Sequence, residues 1–144
     1  MLAVYFDASA LVKLVVDEPG SELAATLWDT CAVPVASRLA SVEVRSAIAA
    51  LGRAGTLDDR SLAAANALWE AYAPSIWPVE LTAAVEERAG DLARLHGLRG
   101  ADAVHLASAL ALDLPDLVVA AWDRRLHAAA AAIGLAVAPA SLDA

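Results

Sequence analysis

The sequence predicts one α/β domain, a three-layer α/β/α sandwich in which helices cover both faces of a central, mainly parallel sheet of four to five strands. Three observations point there. Short β-rich apolar runs alternate with longer helical segments along the whole chain. No internal repeat, low-complexity linker or charge block divides it. Its 144 residues suit a single domain spanning 1–144, enough to bury about two-thirds of the unfolded surface without staples.

The elements are expected in this order. Leu2 to Phe6 is a β-rich run ending at Asp7, and Ser9 to Asp17 is a helix stopped by Pro19-Gly20. Ser21 to Asp29 is a second short helix, and Val33 to Ala36 a strand. Ser41 to Arg53 is a helix ending near Gly52 or Gly55. Leu57 to Tyr72 is another, with Leu62, Ala65, Trp69 and Tyr72 on one stripe and Pro74 behind it. Ile76 to Val79 is a strand that Pro78 confines to an edge or an end. Glu80 to His96 is amphipathic, with Leu81, Val85, Ala89, Leu92 and Leu95 at helical spacing. Ala101 to Leu112 is apolar almost all round, so a buried helix is expected. Leu117 to Ala121 is a strand, Arg124 to Ala132 a helix and Leu135 to Ala138 the last strand.

Composition narrows the function. With 18 acids, 10 bases and a formal net charge of −8, the chain is not a nucleic-acid binder working through one broad basic face. Nor does it carry a polybasic membrane anchor. A bound cation reverses such local charge logic, so an enzyme handling anions through a metal stays open. The single cysteine, Cys31, forms no internal disulfide and fits a reducing cytoplasm. Six residues without a basic segment precede Asp7, so no signal peptide is expected. The apolar stretch Leu126 to Leu142 is interrupted by His127, Gly134 and Pro139 and falls short of the ~20 clean residues of a membrane span.

In an open α/β sheet, function gathers outside the carboxyl ends of the strands. Asp7 follows the first strand, and Asp123 follows Leu117–Ala121. Asp102 sits in the first turn of the buried helix, and Glu43 early in the helix after the second strand. Singly, each Asp reads equally as a helix cap and Glu43 as a solvated helix residue. Together they are four acids, two of them in apolar surroundings, with only Arg45 and Arg99 nearby in sequence. Unpaired buried charge is costly, and a divalent cation is the economical partner. An all-oxygen set favours Mg²⁺ or Mn²⁺ over zinc. His96, His105, His127 and Cys31 lack zinc-ligand spacing and read as structural or surface residues. His105, three residues after Asp102 on one helix face, has the alternative of orienting that carboxylate.

These residues resemble a known family. Tyr5-Phe6-Asp7-Ala8-Ser9-Ala10-Leu11-Val12-Lys13-Leu14 looks like the opening motif of PIN-domain nucleases, in particular VapC-type toxins of toxin–antitoxin pairs. Ser41-Val42-Glu43-Val44 resembles the second motif, Asp102-Ala103-Val104-His105-Leu106-Ala107 the third, and Trp122-Asp123-Arg124-Arg125-Leu126 with Gly134-Leu135 the fourth. All four occur in family order and span nearly the whole chain. There is one departure: two residues before the last Asp the family usually has Thr, Ser or Asn, and this chain has Ala121. Ser9 is retained as a source of a hydroxyl, or else as an N-cap of the first helix.

The resemblance implies a Mg²⁺- or Mn²⁺-dependent endoribonuclease that leaves a 5′-phosphate and a 3′-hydroxyl. Asp7, Glu43, Asp102 and Asp123 would hold the metal directly or through water, with Asp102 or Glu43 as general base. Lys13, Arg124 and Arg125 are candidate phosphate contacts, and Trp122 is a packing residue or a base-stacking one. The resemblance also implies an RNA substrate, a neutralising antitoxin with a basic tail, a homodimer and a cytoplasmic location. Trp69 and Tyr72 would then serve the core or a dimer contact.

Three other readings compete. An inactive PIN scaffold that binds RNA or protein as a regulator has Ala121 in its favour and the four acids against it. A receiver domain or aspartyl-phosphate enzyme needs a second Asp two residues after the first, or a late lysine; here Ser9 holds that position and no lysine follows Lys13. A structure-specific DNA nuclease needs added elements for which 144 residues leave no room.

Overall fold

The computed structural model describes residues 2–142. Five strands, β1 (Ala3–Phe6), β2 (Val33–Ser37), β3 (Trp77–Val79), β4 (Val118–Ala120) and β5 (Ala136–Ala138), form one sheet. Its spatial order is β3-β2-β1-β4-β5 and every pairing is parallel. Seven helices connect them: α1 (Ala8–Val15), α2 (Ser21–Thr30), α3 (Leu39–Arg53), α4 (Asp59–Tyr72), α5 (Ala83–His96), α6 (Gly100–Ala111) and α7 (Arg124–Ala132). A short 3₁₀ turn, Ala73–Ser75, lies between α4 and β3 and carries Pro74.

The three-layer sandwich follows from the two-residue period of the strands. Val4 and Phe6 of β1, Ala36 of β2 and Ala120 of β4 point into one core, built with α1, α3 and α4. Tyr5, Val35 and Val119 between them point into the other, built with α5, α6 and α7. The three central strands are thus apolar on both sides, which only helices on both faces allow. Pro78 lies in β3, at the sheet edge, where a missing N–H breaks no ladder.

Helix starts differ from the sequence expectation where a side chain caps the helix. Thr82 Oγ1 accepts the Val85 N–H at 3.2 Å, so α5 begins after Thr82 and not at Glu80. Asp58 Oδ1 accepts the Ser61 N–H at 2.8 Å and starts α4. Asp7, not Ser9, caps α1; Ser9 lies inside that helix. Ser37 Oγ accepts the Leu39 N–H, and α3 starts there, two residues ahead of Ser41. The expected α5 stripe is buried only at Val85, Ala89 and Leu92; Leu81 precedes the cap, and Leu95 is exposed. Trp69 is buried and Tyr72 packs edge-on against Trp28, which places both in the core.

The topology decides where the site falls. From β1 the chain runs outward through β2 to β3, then crosses back to β4 on the other side of β1. The crevice between the carboxyl ends of β1 and β4 is therefore the topological switch point, the usual ligand position of such sheets. Asp7 and Asp123 follow those two strands.

Candidate active site

A cavity of about 240 Å³ opens at the switch point, lined by Asp7, Ser9, Glu43, Arg99, Asp102, His105 and Asp123. Backbone placement explains the convergence. Asp7 leaves β1 with its N–H still paired to Ala120 O of β4, at 3.1 Å, and caps α1. Asp123 caps α7 by accepting the Leu126 N–H at 3.0 Å. Asp102 stands in the first turn of α6, and Glu43 in the second turn of α3. The positive ends of α1, α6 and α7 therefore face the acids and offset part of their repulsion.

Asp7 is the most deeply set. It is 3 % exposed, and burial pushes its pKa up to about 6. Hydrogen bonds from Ser9 Oγ at 2.6 Å and Ala10 N–H at 2.9 Å oppose that rise, as does His105, while Asp123 adds to it. The pKa of Asp102 is also raised, first by burial and then by Asp123, against the pull of His105 and Arg99. Arg99, the residue before α6, is the one Lys or Arg lining the cavity beside four acids.

Ser9 supplies the hydroxyl between the ends of β1 and β4. Its hydroxyl donates to Asp7 and accepts the Trp122 N–H at 2.9 Å, so it ties the two strand ends together. Ala121 itself is fully buried. Trp122 packs against the α1 side, with Lys13 over its ring, and does not line the cavity. Gly20 is required beneath it: φ is +96°, and a Cβ there would meet Trp122 Nε1 at 2.7 Å.

Lys13 does not reach the cavity. Its ammonium pairs with Glu18 at 2.9 Å and sits 5.2 Å from the Trp122 ring centroid. Arg124 is exposed and donates to the Leu142 carbonyl. Arg125 is exposed and lines a neighbouring shallow groove with His96. His127 is buried and bonded to the Pro139 carbonyl, a structural role.

His105 lies differently from the alternative its spacing suggests. Its Nε2 meets Glu43 Oε1 at 2.5 Å, so it orients Glu43 of α3 and not Asp102 of its own helix. Sequence reasoning set Arg99 only as a nearby base; its place three residues before Asp102 was the available signal for a cavity position.

The donor set is hard oxygen with excess negative charge, which fits Mg²⁺ or Mn²⁺. Among the described residues, no three His, Cys, Asp or Glu side chains are gathered closely enough to cage an ion by themselves.

A parallel sheet with acids gathered at its switch point defines a class, and the family comparison agrees: the chain belongs to the PIN-domain family, whose model matches residues 4–132. It is of the VapC type, being 59 % identical over 143 residues to the ribonucleases VapC45 and VapC49 from two strains of Mycobacterium tuberculosis, with 99 % of each chain covered. Among solved structures it resembles PAE2754 from Pyrobaculum aerophilum, with a TM-score of 0.72, 22 % identity, and 94 % of this chain and 83 % of that one covered. It also resembles a chain of a toxin–antitoxin complex from Klebsiella pneumoniae, with a TM-score of 0.61, 16 % identity, and 83 % and 86 % covered.

Proposed function

We propose that this chain is a Mg²⁺- or Mn²⁺-dependent endoribonuclease, the toxin of a toxin–antitoxin pair. The observation that carries the reading is the cavity at the β1/β4 switch point, where Asp7, Glu43, Asp102 and Asp123 outnumber Arg99. The names of the 59 %-identical relatives support RNA as the substrate.

The four acids would hold the metal, directly or through water. When bound, a divalent ion supplies an acidified water and positive charge for the phosphoryl oxygens. Arg99 offers a second positive charge to the scissile phosphate from the same cavity wall. Asp102 or Glu43 would take up the proton from the attacking water. Ser9 fixes the Asp7 carboxylate against the strand ends. Arg124 and Arg125, exposed beyond Asp123, contact the RNA backbone outside the cavity.

An acidic cavity on a chain of net charge −8 attracts a basic segment, which suits an antitoxin tail that covers the site. The resemblance to a toxin–antitoxin complex supports such a partner. A homodimer and a cytoplasmic location complete the reading; among the described residues no helix is long and apolar enough to cross a membrane.

Sequencing of RNA 5′ ends after brief expression tests the reading. Discrete new 5′-phosphate ends are expected with the native chain and none with Asp7→Asn. The same ends from both proteins would refute the assignment of the site.

A further inference from the structure

Behind Glu43 runs a chain of hydrogen bonds that crosses from the sheet to α3. The Ser37 backbone N–H donates to Tyr5 Oη at 3.2 Å. Tyr5 Oη lies 2.7 Å from His105 Nδ1, and His105 Nε2 lies 2.5 Å from Glu43 Oε1. Tyr5 is fully buried and His105 is 2 % exposed, so the contact between them is shielded from solvent. Glu43 is the outer end, with 29 % of its side chain exposed at the cavity.

Proton counting gives this chain a direction. The phenol has one proton, and the Ser37 N–H already occupies a lone pair of its oxygen. The Ser108 hydroxyl also lies beside the phenol, so the sense is set from the other end. A carboxylate only accepts, so Nε2 carries the proton of a neutral ring, and Nδ1 is bare and accepts from the phenol. The ring proton is then on Nε2, and it is donated to the Glu43 carboxylate. Burial holds the Tyr5 hydroxyl above its ordinary pKa and keeps it a donor. The four residues stand on regular elements: β1, the end of β2, the middle of α6 and α3.

We propose that Tyr5 and His105 are positioning residues for the nuclease site: the Tyr5 hydroxyl fixes the His105 proton on Nε2, and that N–H holds the Glu43 carboxylate at the cavity. The inference rests on the reading of Glu43 as a metal-holding acid. Neither residue touches substrate. Their effect is to remove rotamers of Glu43 that would turn the carboxylate out of the cavity, in the way hydrogen-bonded outer groups orient metal ligands.

The first test needs neither metal nor RNA. Long-range ¹H–¹⁵N spectra of the metal-free protein should show His105 with a proton on Nε2 and a bare Nδ1. Tyr5→Phe, which keeps the buried ring, should let the proton distribute between the two nitrogens. A proton on Nδ1 in the native chain, or an imidazole spectrum unchanged by Tyr5→Phe, overturns the proposal. The second test is Mn²⁺ affinity by titration calorimetry. His105→Ala should weaken it about 10- to 100-fold, and His105→Gln, whose amide N–H can donate to the same carboxylate, should recover part of the loss. In a Glu43→Gln background, His105→Ala should change it less than about 2-fold, because coupled residues are not additive. Equal losses in both backgrounds show that His105 acts other than through Glu43 and overturn the proposal. If His105→Ala does not fold, Tyr5→Phe and His105→Gln carry the same comparison. In RNA cleavage, Tyr5→Phe should lower kcat about 3- to 10-fold at constant KM. Failure of the native chain to bind Mn²⁺ defeats the metal reading instead, and the imidazole spectrum still decides the relay.

Discussion

Asp7 and Asp58 perform the same local task and end in opposite states. Each caps a helix by accepting the N–H three residues on, at 2.9 Å for Asp7 and 2.8 Å for Asp58. Asp58 is exposed, and its bonds to Ser61 hold its pKa below the usual carboxylate value. Asp7 has the same kind of bond and a further one from Ser9, yet burial carries its pKa up to about 6. The two carboxylates share their capping geometry and differ in desolvation among like charges. Under the proposed function, the charge at Asp7, where an amide would cap equally well, serves a bound cation.

Substitution at the two caps is the strongest way to break the comparison. Asp7→Asn keeps the cap and removes the charge, and should lower RNA cleavage about 10³-fold or more, several kcal/mol of transition-state stabilisation. Asp58→Asn should leave cleavage unchanged in the same assay. Equal effects would mean that burial is not what distinguishes them.

The pH dependence of stability sharpens it next. The folded pKa of Asp7, about 6, lies above the ordinary 3.8. Its contribution is fully present well below the ordinary 3.8 and is lost as the pH rises through 6, so the metal-free protein should lose roughly 2 kcal/mol between pH 4 and 7 from this group. Thermal unfolding in a chelator should show that loss in the native chain and not in Asp7→Asn. Asp58, with its lowered pKa, works in the opposite sense: its stabilisation is present above the ordinary value and lost on acidification.

The smallest effect is the cap itself. Asp58→Ala should lower the midpoint of denaturant unfolding slightly, with cleavage unaffected.

Much of this was legible in the chain. The alternation of apolar runs and helical stripes yields the order of all twelve strands and helices, because a two-residue period and a 3.6-residue period differ plainly. Asp7, Asp102 and Asp123 stand at strand or helix ends that sheet topology brings to one edge, so their shared cavity follows from topology. Contacts between distant segments were not legible. The partner of His105 is 62 residues away, and helical spacing pointed only to Asp102 on the same helix. Lys13 follows a motif acid by a short spacing, yet Glu18 holds it, five residues on across the end of α1. Such choices depend on where each side chain finds its opposite charge in space.

If the four acids of the cavity serve RNA cleavage through a divalent ion, cleavage depends on that ion and on Asp7. The direct measurement is cleavage of total RNA by the purified chain, first in EDTA and then with excess Mn²⁺ or Mg²⁺, with Asp7→Asn purified in parallel. The account predicts no cleavage in EDTA, recovery on adding the ion, and no recovery in the variant. Cleavage that persists in EDTA and is equal in the variant would contradict it.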